Sequence, residues 1–419
     1  MQVAQKSQSL LLLQGGQTYF PALIQAIDNA QSWVQLETYI FDVHGSGAEV
    51  AQALMRAARR GVSVQVLVDG IGSDALTPQW HEKIVEAGIE WCVYSPLGAR
   101  LGGLGLLVPN RWRRLHRKLC VVDQRVVFCG GINVLDDLYD PNHGDLPAAR
   151  FDFAVAVTGP LALEAAEAVA LLWWRVQSGY SARQHHLSTA WEQFKTAGYG
   201  GRTSAAGLGV SAHQLAVIEG DLAASTRRVA HAALLLRDNL RNRNSIEKAY
   251  RKAIGRARNE ILIANAYFVP GGKLRRALVR AARRGVRVTL LLQGRYEYFM
   301  QYHAARPVYG ALLEAGIEIY EYEASFLHAK VAVIDGYWAT VGSSNLDPLS
   351  LLLAREANVV VEDKTFAGEL RASLRTAIDS HGRRLDPAAY SNRPLRQRIL
   401  DHAAYALMRL GVFVAGQRY

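Results

Sequence analysis

The sequence predicts an α/β protein built from two homologous domains, each a sheet with helices on both faces. Two observations support this fold class: the second half of the chain repeats the first, and both halves alternate helical segments with apolar, strand-like runs. Strands without polar alternation are typical of parallel sheets that are covered on both faces. Two homologous halves are expected to be related by a pseudo-twofold axis and to share one site.

The repeat extends through four segments that occur in the same order in both halves. Residues 57–70 read AARRGVSVQVLVDG, and residues 281–294 read AARRGVRVTLLLQG. The pentapeptide EAGIE occurs at 86–90 and again at 314–318. The other two pairs are 26–41 with 253–269, and 116–133 with 328–345. Chance does not produce four ordered matches, so the scaffold is duplicated.

Each half is predicted to contain a helix, a β-rich run, a second helix that ends in arginines and a glycine, and an apolar strand. These segments are 21–32, 33–41, 49–61 and 62–68 in the first half, and 245–259, 260–269, 274–285 and 286–292 in the second. Glycine suits a left-handed helix cap, and arginines suit the negative end of the helix dipole. The predicted domains are 1–180 and 234–385, with a connector at 181–233 and an amphipathic tail at 386–419.

Composition limits the classes of partner and of site. The 419 residues include 48 Lys and Arg against 37 Asp and Glu, which favours nucleic acid, an anionic membrane or a phosphate-bearing substrate as partner. Three cysteines without a C-x-x-C pair argue against a disulfide framework and a thiolate zinc site. No apolar stretch reaches the roughly 18–20 residues that span a bilayer, so any membrane contact is expected to be peripheral.

Two copies of an H-x-K-x4-D motif stand at equivalent points of the repeat. Their residues are His116, Lys118 and Asp123 in the first half, and His328, Lys330 and Asp335 in the second. Residues two apart on a strand share one face, so the imidazole and the ammonium of each motif point into the same space. The two aspartates are part of the catalytic motif but lie about 16 Å along the strand from its histidine. They are therefore expected to be structural and to pair with a neighbouring basic residue.

This arrangement suits chemistry at a phosphodiester. The lysines, together with Asn133, Ser343 and Asn345, are expected to donate hydrogen bonds to the non-bridging phosphate oxygens. One histidine can attack phosphorus to form a phosphohistidine, and the other can act as general acid and base. No metal or other cofactor is expected, because the two lysines supply the positive charge. Gly131 replaces Ser343 in the first half, which predicts unequal roles for the two halves.

Two acids are candidates for orienting the histidines. Asp152 and Glu356 each open an apolar, strand-like stretch that follows the motif of their own half. A carboxylate there could bind one imidazole nitrogen and fix its tautomer. Each acid is accordingly predicted to pair with the histidine of its own half. The alternative is that both are ordinary surface carboxylates.

The paired motifs resemble the hallmark of the phospholipase D superfamily, and the likeness covers most of the chain. Within the superfamily the sequence is most similar to the bacterial cardiolipin synthases, in the runs at 37–41, 61–73, 265–270 and 338–350. The resemblance implies transfer of a phosphatidyl group from one phosphatidylglycerol to another, with release of glycerol. Lipid hydrolysis, transfer to another acceptor alcohol and nuclease action remain alternatives. A more remote hypothesis is a non-catalytic membrane- or nucleic-acid-binding protein.

The resemblance also implies which histidine is the nucleophile. Enzymes of the superfamily commonly use the histidine of the first half, which is His116. Arginines beside it, such as Arg117, favour the neutral imidazole that a nucleophile needs. Pairing with Glu356 would raise the pKa of His328 and suit it to be the general acid.

Two segments are candidates for contact with a membrane on the cytoplasmic side of a bacterial cell. Residues 101–108, LGGLGLLV, form an apolar run directly before a cluster of arginines, and residues 395–414 have apolar positions at helical spacing between arginines. The alternatives are a buried loop and a helix packed on the protein. No nucleic acid is expected as partner, because the sequence lacks interleaved base-stacking aromatics.

Overall fold

The computed structural model describes residues 8–73, 76–95, 113–183, 227–229, 231–238, 242–296, 299–347 and 354–414. Within this part of the chain, two large mixed sheets, one in each half, pack on each other through a shared core. The predicted apolar run at 101–108 and most of the predicted connector at 181–233 lie outside the described residues. The predicted domain bounds stay a prediction.

The first sheet has the strand order β11-β1-β10-β7-β6-β2-β3-β4. The first half begins with β1 (Gln8–Gln14), α1 (Gly16–Asp28), β2 (Trp33–Thr38), α2 (Ser46–Arg59), β3 (Ser63–Asp69), α3 (Pro78–Glu86) and β4 (Glu90–Tyr94). It continues with β5 (Arg114–Leu115), β6 (Leu119–Val122), β7 (Val126–Gly130), β8 (Tyr139–Asp140), β9 (Gly144–Asp145), β10 (Phe153–Thr158) and α4 (Pro160–Arg183), and β11 (Arg227–Val229) adds the edge strand.

The second sheet repeats this order as β12-β18-β17-β16-β13-β14-β15, with β19 at the far edge. The second half begins with β12 (Ala232–Arg237), α5 (Ser245–Arg256), β13 (Glu260–Asn265), α6 (Gly272–Arg283), β14 (Arg287–Gln293), α7 (Phe299–Leu313) and β15 (Glu318–Tyr322). It continues with β16 (Lys330–Ile334), β17 (Trp338–Gly342), β18 (Ala354–Glu362), α8 (Lys364–His381), β19 (Gly382–Arg384), α9 (Pro387–Ser391) and α10 (Leu395–Val414).

Each sheet is parallel only in part. β2, β3 and β4 pair in parallel, as do β13, β14 and β15. The motif strands β6 and β16, however, pair antiparallel with both of their neighbours. The wholly apolar strands predict parallel pairing, whereas these strands pair antiparallel. Short turns join β6 to β7 and β16 to β17, and two strands joined by a short turn must run antiparallel.

The hydrophobic cores explain why so many strands are wholly apolar. β6, β7 and β10 of the first sheet share one core with β16, β17 and β18 of the second, and α4 and α8 cover this inner side. The outer faces form separate cores, with α1 and α2 on the first sheet and α5, α6, α7 and α10 on the second. The central strands are therefore buried on both faces, and the two halves meet chiefly through β7 and β10 on one side and β17 and β18 on the other.

Candidate active site

The segments that precede the two motif histidines cross between the halves. β5, directly before the first motif, pairs in parallel with β18 of the second half, and a parallel bridge joins the corresponding segment before the second motif to residues just before β10. The N–H of His116 donates to Arg355 O at 3.0 Å, and the N–H of His328 donates to Phe151 O at 2.9 Å. The residue after each of these carbonyls is one of the two candidate orienting acids.

Each candidate acid hydrogen-bonds a motif histidine, but that of the opposite half. His116 Nδ1 lies 3.1 Å from Glu356 Oε2, and His328 Nδ1 lies 2.6 Å from Asp152 Oδ2. Both acids are buried, and the histidine side chains are only 15% and 19% exposed. The predicted pairing within each half is therefore wrong, because the segments before the histidines cross over. With Nδ1 engaged, Nε2 is the ring nitrogen left for reaction.

The motif lysines are buried beside the histidines. Lys118 Nζ donates to His116 O at 2.9 Å, and Lys330 Nζ makes the equivalent hydrogen bond to His328 O. The Tyr39 ring lies 5.5 Å from Lys118 Nζ and 5.0 Å from the His116 ring, so it forms one wall of the first-half site. A lysine ammonium has three N–H donors, so Lys118 keeps others for an anion beyond the one that binds His116 O.

The three predicted phosphate-binding side chains have different surroundings. Asn133 and Asn345 are buried and lie three residues after β7 and β17, and Asn133 Oδ1 accepts the N–H of Ile40 at 3.2 Å. The Ser343 hydroxyl donates to Glu356 and accepts the N–H of Ala357 at 3.0 Å. Ser343 thus holds the acid that binds His116.

The first half has a glycine, Gly131, in place of this serine for a structural reason. Gly131 and Ser343 occupy equivalent positions in the two sheets. The N–H of Gly131 donates to Phe153 O, and the N–H of Ser343 donates to Ala357 O. A Cβ at Gly131 would lie 2.2 Å from Asp152 Oδ1. The shorter acid occupies the space that a serine side chain would need, so the two halves hold their acids differently.

The charges around the two acids also differ. Arg237 of β12 lies opposite Glu356 in the strand register and is buried. Its pKa is lowered to about 10 by burial, against the opposing effect of Glu356. Asp152 instead has Gly15 as its backbone neighbour, and the half-buried Asp137 lies nearby. Burial, with a contribution from Asp137, raises the pKa of Asp152 to about 7.

The cations and the burial of the site favour neutral imidazoles. Burial lowers the pKa of His328 well below its usual value, and the charges of Lys330 and Lys118 lower it further. Burial also lowers the pKa of His116, although Glu356 opposes this effect. The expectation that Glu356 raises the pKa of His328 is wrong, because Glu356 pairs with the other histidine. Burial similarly lowers the pKa of Lys118 to about 7.

Asp123 and Asp335 lie at the opposite end of the motif strands from the histidines. Their carboxylates accept backbone N–H groups of the turns that lead into β2 and β13: residues 31–33 for Asp123 and residues 258–260 for Asp335. The predicted pairing with a basic side chain is wrong, since backbone amides take its place. Both aspartates anchor the motif strand in its sheet, at the end away from the histidine.

A further pair of residues braces the segments before the motifs. Asp69 ends β3, and its Oδ2 accepts the N–H of Leu115 at 2.8 Å. Gln293 ends β14, and its Oε1 accepts the N–H of Leu327 at 3.3 Å. Sequence reasoning did not single out these positions. The signal was present, because they are the polar residues that end the repeated runs VLVDG and LLLQG.

In the described ranges, no group of three His, Cys, Asp or Glu side chains is placed to hold a metal ion. Nor does any described helix combine the length and the apolar character needed to cross a membrane.

Comparison with known proteins identifies the family. The model described as "Cardiolipin synthase, PLD-like domain" matches residues 23–143 and 250–377. The chain is 36% identical to cardiolipin synthase B of Escherichia coli strain K12 over 388 residues, which are 90% of this chain and 81% of that protein. It is 28% identical to cardiolipin synthase A of Escherichia coli O1:K1 / APEC over 405 residues, 96% of this chain and 75% of the relative.

A solved structure supports the fold. Phosphatidylserine synthase of Haemophilus influenzae Rd KW20 matches with a TM-score of 0.64 over 98% of this chain and 97% of its own, at 13% identity. Since the identity is low, this match concerns the fold alone. Together with the duplicated motifs and the sequence identity, it supports one conclusion: the chain belongs to the cardiolipin synthase family of phospholipase D-like proteins.

Proposed function

We propose that the protein is a cardiolipin synthase that transfers the phosphatidyl group of one phosphatidylglycerol to another and releases glycerol. The observation that carries this proposal is a single site in which two histidines, each bound to a buried carboxylate of the opposite half, stand beside two buried lysines. The 36% identity to cardiolipin synthase B over most of the chain supports the choice of substrate.

In the first step, Nε2 of one histidine attacks the phosphorus of the donor lipid. The P–O bond to glycerol breaks, and the leaving oxygen takes a proton from Nε2 of the other histidine. In the second step, the same nitrogen removes the proton from a glycerol hydroxyl of the acceptor lipid. That oxygen attacks phosphorus, the P–N bond breaks, and cardiolipin leaves with both histidines restored.

The lysines and asparagines are proposed to bind the phosphate. Lys118 and Lys330 supply the positive charge that balances the pentacoordinate phosphorane, and Asn133 and Asn345 direct amide groups toward it. No metal is needed for this role.

The two histidines are proposed to have different roles, with His116 as nucleophile and His328 as general acid and base. Phosphorylation of His116 makes its ring cationic, and Glu356 provides the adjacent carboxylate. The other pair suits proton transfer, because the pKa of Asp152 is about 7 while His328 stays neutral. A protonated Asp152 can pass its proton to His328 Nδ1 as Nε2 protonates the leaving oxygen.

Peripheral binding to the cytoplasmic side of a bacterial membrane is proposed to bring the site to its lipids. α10 packs on α7 through Ala404 and Met408, so the predicted helix does contact the protein. Its other side exposes Leu395, Ile399 and Leu407, between 59% and 69% of each side chain. An apolar stripe of this kind suits the boundary between headgroups and acyl chains.

Two experiments test the proposal. Purified protein is incubated separately with phosphatidylglycerol, phosphatidylethanolamine and DNA, and the products are identified; cardiolipin and glycerol are expected, whereas phosphatidic acid would indicate hydrolysis and cleaved DNA a nuclease. The covalent intermediate is then trapped without acid and mapped by peptide mass spectrometry. The phosphoryl label is expected on His116, and label on His328 would reverse the roles.

A further inference from the structure

The excess positive charge of the chain is concentrated on one pair of helices. Residues 245–258, which include α5, and residues 272–284, which include α6, carry eleven Lys and Arg and a single acid, Glu247. The formal net charge of the whole chain is +11. Nearly all of this excess therefore lies on these two segments, which contact each other on the outer side of the second sheet and are here named the basic face.

The duplication provides an internal comparison for the basic face. α1 and α2 have the same places in the first half, and the equivalent residues 18–31 and 48–60 carry three arginines against two acids. Arg56 pairs with Asp28 at 2.8 Å, and Arg60 caps α1 in the same way that Arg284 caps α5. Because the first half builds the same layer without the extra charge, the fold does not require it.

Most of the basic side chains have no role within the described part of the protein. Among the described residues, the basic face forms one ion pair, Arg251 with Glu247 at 3.9 Å, and one cap, by Arg284. Lys248 and Lys252 are exposed and four residues apart on one helix, where like charges repel. Exposed like charges without internal partners indicate an external anionic partner.

The same helical layer contains the feature that favours a bilayer over nucleic acid. α7 contacts both α6 and α10, and α10 carries the exposed apolar stripe that includes Ile399 and Leu407. A phosphate backbone offers no partner for such a stripe. An anionic bilayer accommodates both features, since its surface attracts basic side chains and its interface takes up apolar ones.

We propose that the basic face is an electrostatic docking surface for anionic phospholipid bilayers. The phosphates that it contacts belong to lipids that are not being transformed, and the contact is separate from the histidine site. The proposed function supplies the reason for docking, but binding does not depend on turnover. The proposal can therefore be tested with a lipid that the enzyme cannot use as a donor.

The test measures binding of the full chain to phosphatidylcholine vesicles with and without phosphatidic acid, a phosphomonoester with no headgroup alcohol to release. Arg280 and Arg283 on α6 occupy the same repeat positions as Arg56 and Arg59 on α2, so Arg280→Gln/Arg283→Gln and Arg56→Gln/Arg59→Gln form a matched pair. All four side chains are exposed. Each basic group near an anionic surface contributes about 1 kcal/mol, so the α6 variant should bind about 30-fold more weakly. The α2 variant should bind like the unaltered protein.

Equal losses in both variants, or no loss in either, would overturn the proposal. Duplex DNA is the competing probe: binding to DNA that is tighter than binding to the vesicles, and that the α6 change weakens, would assign the surface to nucleic acid instead. Cardiolipin formation from phosphatidylglycerol in detergent micelles is measured in parallel. Absence of product there would count against the proposed function alone, whereas the vesicle results decide the docking surface.

Discussion

Gly131 offers a sharp test of how the site positions His328, the proposed general acid. Asp152 Oδ2 lies 2.6 Å from His328 Nδ1, and a Cβ at Gly131 would lie 2.2 Å from Asp152 Oδ1 and 2.6 Å from Oδ2. A Gly131→Ser change copies the residue of the second half, but it meets a carboxylate that already fills the space. The carboxylate must therefore move.

The size of the effect follows from these distances. Non-bonded atoms need a separation of about 3.2–3.5 Å, so the carboxylate has to retreat by about 1 Å. That shift takes the contact with His328 beyond hydrogen-bonding distance. A misplacement of about 1 Å in a catalytic group can cost about 100-fold in rate, and we expect kcat of Gly131→Ser to fall by about this factor. KM should change little, because the lysines are untouched.

The assay is the initial rate of cardiolipin formation in mixed micelles, with circular dichroism and thermal melting to check the fold. The matched control is Ser343→Gly, which removes the hydroxyl donor of Glu356 without crowding it. Loss of one hydrogen bond of about 1 kcal/mol predicts a decrease of only about fivefold. A folded Gly131→Ser protein with an unchanged kcat would refute the reasoning, and so would a larger loss in the control.

Three further predictions concern the motif residues. His116→Ala and His328→Ala should each abolish turnover while circular dichroism stays unchanged; a single variant with near-normal activity would contradict the shared site. Lys118→Ala or Lys330→Ala should lower kcat by at least about 10²–10³-fold, the cost of one oxyanion donor, and losses under tenfold at both would place the phosphate elsewhere. Activity should persist after exhaustive chelation; activity that is lost and then returns with zinc or magnesium would refute the lysines as the source of charge.

Much of the fold and of the motif geometry could be predicted because the signals are local. His116 and Lys118 are two residues apart, and the structure has both in the short segment between β5 and β6, where Lys118 Nζ donates to His116 O. The repeated run at 57–70 and 281–294 predicted a helix, a glycine turn and a buried strand, and the structure has α2–β3 and α6–β14 there. Parallel pairing was predicted too widely, because the apolar pattern reports burial on both faces and not strand direction.

The pairing of acids with histidines could not be predicted in this way. His116 and Glu356 are 240 residues apart, and the contact depends on β5, a strand of two residues that pairs with β18. So short a strand has no periodic signature, and the sequence separation made pairing within each half look simpler. The contact of Ser343 with Glu356 could not be predicted for the same reason. The Ser343 hydroxyl donates to Glu356, which in turn binds the histidine of the other half.

The unequal surroundings of the two acids lead to a prediction about pH. Asp152 has a pKa raised to about 7 by burial, so its proton is present below that pH and lost as the pH rises through it. If that proton serves the leaving group, kcat of the unaltered enzyme should fall above about pH 7. Lys118, with a pKa of about 7, loses its charge over the same pH range and so lowers kcat in the same direction.

Asp152→Asn should lower the maximum kcat and flatten its fall with pH, because only the lysine still titrates. Glu356→Gln should lower kcat at every pH and keep the part of the fall that Asp152 contributes, since Asp152 is intact. Profiles of kcat against pH for both variants, measured with the same lipid, isolate the contribution of Asp152. Identical profile shapes in the two variants would show that the Asp152 proton takes no part in the reaction.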